Sequence, residues 1–302
     1  MEVVKSSLFV IFRLRRGYLE ELKKLQSKAF VGYGLSFGGF ILGMLFMFMD
    51  PVLGFGMCLC GMVGLIVVSA TTGSKYKLAY KESICKGVIA KIFDVEEYRP
   101  NEGFEREFIK DTYLSPMGNR FYSDDYIRGN YQGVVFERSD VCIQNVTSNG
   151  KTTTTVTYFQ GSWTVFTFPK KISTYLMIRE KEFLSGGRPG GIFSNAPKTD
   201  KVLFEDVAFN EAFDVYAEDE HDAFYVLTPQ MIERIKGLEA LIDGRMTIGI
   251  VNEKLHILFN NGKNALEPSL FREISEEDYQ LVEQEMQKIV DIMHCLQLLK
   301  ER

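Results

Sequence analysis

The hydrophobic and polar positions divide this chain into two unequal parts. From Ala29 to Met49, and again from Pro51 to Ala70, the residues are apolar or small, and neither run holds a charged side chain. Roughly 20 apolar residues at a rise of about 1.5 Å each cross a hydrocarbon layer about 30 Å thick, whereas a core helix of a soluble protein normally keeps a polar stripe over such a length. The pattern predicts two membrane-spanning helices, 29–49 and 51–70. Asp50-Pro51 between them supplies a turn, because proline at a helix start gives up no needed hydrogen bond. Gly34 and Gly38, Gly39 and Gly43, and Cys60 and Gly64 lie four apart, a spacing that lets helices approach closely, either span on span or against a neighbouring subunit.

Before the first span, Leu14, Tyr18, Leu22 and Leu25 share one helical face. They predict an amphipathic helix that lies on anionic lipid or packs on the protein itself. After the second span, Tyr80, Ile84, Val88 and Ile92 repeat every fourth position, the stripe of a helix leaving the membrane. From about Asp125 the period shortens to two. Aromatic and β-branched residues multiply, and the turn pairs Asn149-Gly150, Asp243-Gly244 and Asn261-Gly262 appear. Expected strands are 134–146, 153–159, 163–168, 174–179, 201–204, 214–216, 224–227, 246–251 and 255–259. Thr228-Pro229 opens a helix, and Ser275 with Asp278 caps the last one. In that helix Tyr279, Val282, Met286, Ile289, Met293 and Leu296 alternate spacings of three and four, a seam that fits the domain's own sheet or a partner helix.

The fold class is therefore α+β: an N-terminal two-helix transmembrane hairpin, then a mostly antiparallel β domain with a long C-terminal helix. The expected division is an amphipathic cytoplasmic helix over 1–28, the hairpin over 29–70, a membrane-proximal helix and connector over 71–124, and a cytoplasmic β-rich domain over 125–302 ending in the helix 275–300. Basic residues fix the orientation. Lys5, Arg13, Arg15, Arg16, Lys23, Lys24 and Lys28 precede the first span, Lys75, Lys77, Lys81 and Lys86 follow the second, and the turn has none. By the positive-inside rule both termini of this multi-pass protein lie in the cytoplasm, so the sequon at Asn145 is read as chance.

A net charge of -5 argues against nucleic acid as a partner. Five scattered cysteines suit a reducing compartment and lack metal-ligand spacing. No catalytic residue, cofactor or metal is assigned. Weak candidates for ligand or partner contact are Asp124, Asp125, Trp163, Arg188, Glu205, Glu218, Asp219 and His221. The acids around His221 in 217–222 invite a divalent cation, but a solvated turn between two strands is the favoured reading. Arg188, inside the glycine-rich 186–191, could meet phosphate, although no helix follows to hold an anion. Trp163, with Phe159, Phe166 and Phe168, lines a groove or, as aromatics alternating on a strand usually do, a core.

The segments DDYIRGNYQGVVFERSDV, FQGSWTVF and FEDVAFNEAFDVYAEDEHDAFYVLTP resemble an uncharacterised bacterial membrane protein family, domain of unknown function number 3137, with a similar layout over nearly the whole chain. The resemblance implies a bacterial inner-membrane protein with a LemA-type membrane protein as partner; the small-residue faces and the heptad seam also admit a second copy. It implies no catalytic residue. The expected function is a membrane-anchored cytoplasmic binding or scaffolding module. The alternatives are a membrane-proximal hydrolase using Asp124, Asp125 or Glu205, and a lipid- or phosphate-binding domain resembling a pleckstrin-homology barrel.

Overall fold

The computed structural model describes residues 2–167, 174–181, 183 and 196–299, with side chains from residue 19 onward. Phe168, Arg188 and the glycine-rich 186–191 lie outside the described residues, as do the side chains of Leu14 and Tyr18. The chain divides into two compact units, Met1–Val88 with Leu266–Glu283, and Ile89–Ala265 with Gln284–Arg302.

In the first unit α1 runs unbroken from Glu2 to Phe46, so the amphipathic segment and the first apolar run are one helix. Asp50 then caps α2 (Pro51–Val68), its carboxylate accepting the N–H groups of Val52 and Leu53 at 3.0 and 3.1 Å. The helical path continues through a widened π-type turn (Ser69–Gly73), α3 (Ser74–Tyr80), a second such turn (Lys81–Cys85) and α4 (Lys86–Ile92). Both long helices are apolar enough over sufficient length to cross a membrane.

Backbone proximity holds α1 and α2 together. A Cβ at Gly43 would meet the Cys58 nitrogen at 2.6 Å, one at Gly54 the Met47 nitrogen at 2.4 Å, and one at Gly61 the Phe40 nitrogen at 2.6 Å. Gly54, Cys58 and Gly61 thus form one buried small-residue face, at the spacing that lets membrane helices touch along their backbones. The expected pairs fit this face only in part, since a Cβ at Gly34, Gly38 or Gly39 meets nothing within 4 Å and Cys60 is exposed. Large side chains point outward, with Leu35 73%, Phe48 91% and Val52 84% exposed.

The segment 266–275 completes this unit. Gln26 Nε2 donates to the carbonyls of Ser269 and Arg272 at 3.0 and 2.6 Å, and the Tyr76 hydroxyl donates to the Ser269 carbonyl at 2.8 Å. Lys77 and the buried Lys81 lie 2.6 and 3.3 Å from the Glu267 carboxylate.

The second unit is built on one antiparallel nine-stranded sheet in the order β1-β2-β3-β4-β9-β8-β5-β7-β6. The strands are β1 (Asp94–Arg99), β2 (Arg120–Tyr131), β3 (Val134–Ser148), β4 (Thr153–Thr167), β5 (Leu176–Glu180), β6 (Asp200–Val202), β7 (Phe213–Ala217), β8 (Arg245–Val251) and β9 (Lys254–Asn260). The sheet begins earlier than the alternating pattern from Asp125 indicates, because β1 is a charged edge strand with no apolar alternation to reveal it. Expected strands 153–159 and 163–168 merge into β4. Among the described strands the sheet is open, with β1 and β6 at its edges, so the barrel expected from a pleckstrin-homology-like fold does not form.

Of the segment 224–227, expected as a strand, residues 224–226 are helical and Leu227 is the C-cap. They end α7 (Glu220–Val226), whose N-cap Asp219 accepts the His221 N–H at 2.7 Å. The β-forming run Phe-Tyr-Val is overridden because Ala223 and Val226, three apart, are the buried pair.

One sheet face carries Phe159, Trp163, Val165 and Leu258, packed with Phe104, Ile109 and Leu114 from the stretch that includes α5 (Arg106–Lys110). On the other face Ile178, Ile248, Ile250 and Leu255 meet Val226 of α7, Ile235 of α8 (Pro229–Leu241) and Leu296, leaving a void of only about 20 Å³. A short helix, α6 (Val207–Ala212), leads into β7. The last helix, α9 (Glu276–Cys295), starts where Ser275 and Asp278 cap it, the Ser275 N–H donating to Asp278 Oδ2 at 2.8 Å. All six positions of its heptad seam are buried within this single chain.

Close packing at Gly61 leads to a specific expectation. Gly61→Leu must push the two backbones apart and lower the thermal unfolding midpoint in detergent, at a cost of roughly 1–3 kcal/mol or more, whereas Gly39→Leu points into open space and leaves the midpoint unchanged. Equal effects would show that the helices do not meet on this face.

Candidate functional site

The greatest concentration of chemistry in the described residues lies where β2 meets β3. Asp124 stands directly across from Asp140, and the register then slips before Ile127 pairs with Arg138. This bulge turns Asp125 inward at φ 54°, a left-handed backbone that aspartate tolerates better than most residues. Asp125 is fully buried, and its Oδ1 accepts the Tyr98 hydroxyl at 3.0 Å. One carboxylate oxygen from each of Asp124, Asp125 and Asp140 falls within 4.8 Å of the others.

Arg138 supplies the counter-charge. Its Nη2 donates to Asp140 Oδ1 at 2.7 Å, and both side chains are buried. Burial works to lower the Arg138 pKa, but Asp140, Glu285 and Asp125 outweigh it and hold it above the usual value. Burial pushes Asp140 up to about 6 against the opposing pull of Arg138, with Asp124 and Glu285 adding to the rise. Asp140 Oδ2 and Arg138 Nη1 make no hydrogen bond among the described residues. The outer member, Asp124, accepts from Asn264 Nδ2 at 3.4 Å. Three close carboxylates with oxygen donors would suit a hard cation; among them the Arg138 guanidinium is hydrogen-bonded to Asp140.

A second buried pair lies on the opposite sheet face. The Trp163 Nε1–H donates to His256 Nδ1 at 3.2 Å, and both side chains are buried. Burial first, and Lys254 second, lower the His256 pKa to about 3. The imidazole is thus neutral, with Nδ1 kept as an acceptor by the indole.

The remaining candidates are dispersed. Glu218 Oε2 accepts the Tyr175 N–H at 2.8 Å, fastening β5 to the end of β7. Asp219 is the cap of α7, and His221 is exposed on its first turn. The acids of 217–222 therefore start a helix instead of closing a hairpin turn. Glu205 is exposed beyond β6, seven strand positions from β2, on the order of 30 Å at about 4.8 Å per strand. It cannot act with Asp124 or Asp125. Arg138 and Asp140 were not among the expected residues. Their signal is two opposite charges two apart in a strand, which places both on one face.

Residues 157–298 match the family model described as Protein of unknown function (DUF3137). The match is narrower than the resemblance over nearly the whole chain. Trp163, Glu205, Glu218, Asp219, His221 and His256 fall inside the DUF3137 segment, whereas Asp124, Asp125, Arg138 and Asp140 precede it. No curated protein matches the chain. A crystal structure of the mycobacterial trehalose monomycolate transport factor A, TtfA, aligns at 9% identity and a TM-score of 0.38, covering 72% of this chain and 96% of that one.

The two buried groups give opposite pH dependences. The His256 pKa is depressed from 6.5, so the unfolded chain binds the extra proton between about 3 and 6.5, and stability falls as the pH drops through that window. The Asp140 pKa is raised from 3.8, so the folded chain binds the extra proton between about 3.8 and 6, and stability is lost as the pH rises through it. Each slope is ~1.4 kcal/mol per pH unit, and between about pH 4 and 6 the two oppose each other. Relative to the parent, His256→Gln should lose stability as the pH rises across that range, and Asp140→Asn should lose stability as it falls. Guanidinium unfolding at several pH values reads both, and parallel profiles for the three proteins would contradict the assignment.

Proposed function

We propose that this chain is a membrane-anchored, noncatalytic binding module: the paired apolar helices hold it in the bacterial inner membrane with both termini in the cytoplasm, and the sheet domain engages another protein there. The observation that carries the reading is the distribution of exposed apolar surface. One area is the outward face of α1 and α2. Another is at the β6 edge, where Leu203 is 64% and Val207 68% exposed and Phe224 and Tyr225 stand out from α7. Phe204 and Phe224 are in ring contact at 5.1 Å, which brings the chain just beyond β6 against α7. An apolar patch beside an open sheet edge is a common form of protein interaction surface.

Burial weighs against the hydrolase alternative. A substrate would have to reach carboxylates of which Asp125 and Asp140 are closed to solvent and Arg138 is already bound. Removing such a network disturbs folding before chemistry.

The expected partner is a LemA-type membrane protein, from the resemblance, or a second copy of this chain. Affinity capture of the full chain from gently solubilised membranes should recover one of these, and the double variant Leu203→Asp, Val207→Asp should lose it while remaining folded. Recovery of neither by the parent, or equal recovery by the variant, would overturn the reading.

A further inference from the structure

The carboxylates where β2 meets β3 include a buried acceptor that the protein itself does not use. Asp140 is held at one oxygen only: Oδ1 takes an N–H of Arg138 Nη2 at 2.7 Å, whereas Oδ2 makes no hydrogen bond among the described residues. The side chain is 4% exposed, so bulk water does not serve that oxygen. A buried carboxylate oxygen without a donor or a cation is costly to keep. Asp140 stands across the strands from Asp124, and one oxygen from each of Asp124, Asp125 and Asp140 falls within 4.8 Å of the others.

That spacing defines the ligand. Three oxygens so placed share a central point at most about 2.8 Å from each, against about 2.3–2.6 Å for calcium–oxygen bonds and about 2.0–2.1 Å for magnesium. Each acid is also held from outside the triad. Asp125 Oδ1 accepts the Tyr98 hydroxyl at 3.0 Å, Asp124 Oδ1 accepts from Asn264 Nδ2 at 3.4 Å, and Asp140 Oδ1 accepts from Arg138. Outer donors of this kind orient carboxylates that bind metals. Glu285 of α9 also acts electrostatically on Arg138 and Asp140, but it is itself held by Lys288 at 2.5 Å. A dication would bring the three carboxylates and the one guanidinium to neutrality together.

We propose that a hard divalent cation of the magnesium and calcium class binds between Asp124, Asp125 and Asp140, with Asp140 Oδ2 among its ligands. Asp124 is half-buried, and on its side water completes the coordination shell. All three protein ligands are carboxylates, which favours hard ions over zinc or copper. The ion ties β2 to β3 at the bulge, beside the edge strand β1 that carries Tyr98.

The test uses the full chain in detergent, stripped with a chelator and then dialysed against calcium or magnesium. The parent should bind one ion per chain, and saturation should raise the thermal unfolding midpoint by several degrees. Asp124→Asn should weaken binding at least ten-fold, while Asp219→Asn, at the cap of α7, should leave it unchanged. The tighter of the two ions identifies the preferred size. Terbium in place of calcium should luminesce when tyrosine is excited, and Tyr98→Phe should lose much of that emission, which locates the ion without altering an acid. No ion bound by the parent at millimolar concentration would mean that water or a proton serves Asp140 Oδ2, and would overturn the proposal. Binding unchanged by Asp124→Asn, or terbium emission unchanged by Tyr98→Phe, would place the ion elsewhere and overturn it as well.

Discussion

The close approach of two backbones at Gly43, Gly54 and Gly61 is the constraint on which the first unit depends. Hydrocarbon gives apolar helices no reason to hide from it, so their association rests on van der Waals contact and on small residues that let backbones touch. That contact consumes one face of each helix. The opposite faces keep Leu35, Phe48 and Val52 turned outward, where lipid is the environment in which such side chains are at no disadvantage. With the two helices held side by side, Gln26 and Tyr76 come within reach of the same backbone segment, and Phe271 is held against Phe30.

The second unit solves a different problem. Its sheet is covered on both faces, and polar groups caught in the covering must be satisfied internally. Arg138 and Asp140 do this in part for each other under one face, through the single Nη2–Oδ1 bond, while Trp163 and His256 pair under the other. A buried ion pair contributes little net stability, but taking away one member leaves an uncompensated charge. The cluster thus reads as a device that fixes the register of β2 on β3, where the bulge at Asp125 makes slippage easiest.

Much of this was legible in the chain itself. The hairpin announces itself because an uncharged run of that length has few alternatives, and the capping of α9 at Ser275 and Asp278 is a local matter. The hairpin's contact face was only partly legible. A spacing of four marks Gly34, Gly38 and Gly39 as readily as Gly43, and the choice among them depends on how the helices rotate about the Asp50 turn, which is a tertiary property. The same limit hid α7, whose aromatic residues look like a strand until the burial of Ala223 and Val226 is known. Asp124 and Asp125 could be singled out as candidates, but their companions could not. Arg138 and Asp140, two apart on β3, are brought to Asp124 and Asp125 only by the cross-strand register, which no local pattern carries.

The central claim is that paired helices anchor a domain lying on the same side of the membrane as the N-terminus. The most direct measurement fuses a cytoplasm-active and a periplasm-active reporter, in turn, after Arg302 in bacterial cells. Signal from the cytoplasmic reporter alone is the expected result. Signal from the periplasmic reporter would contradict the hairpin orientation and the placement of the sheet domain together.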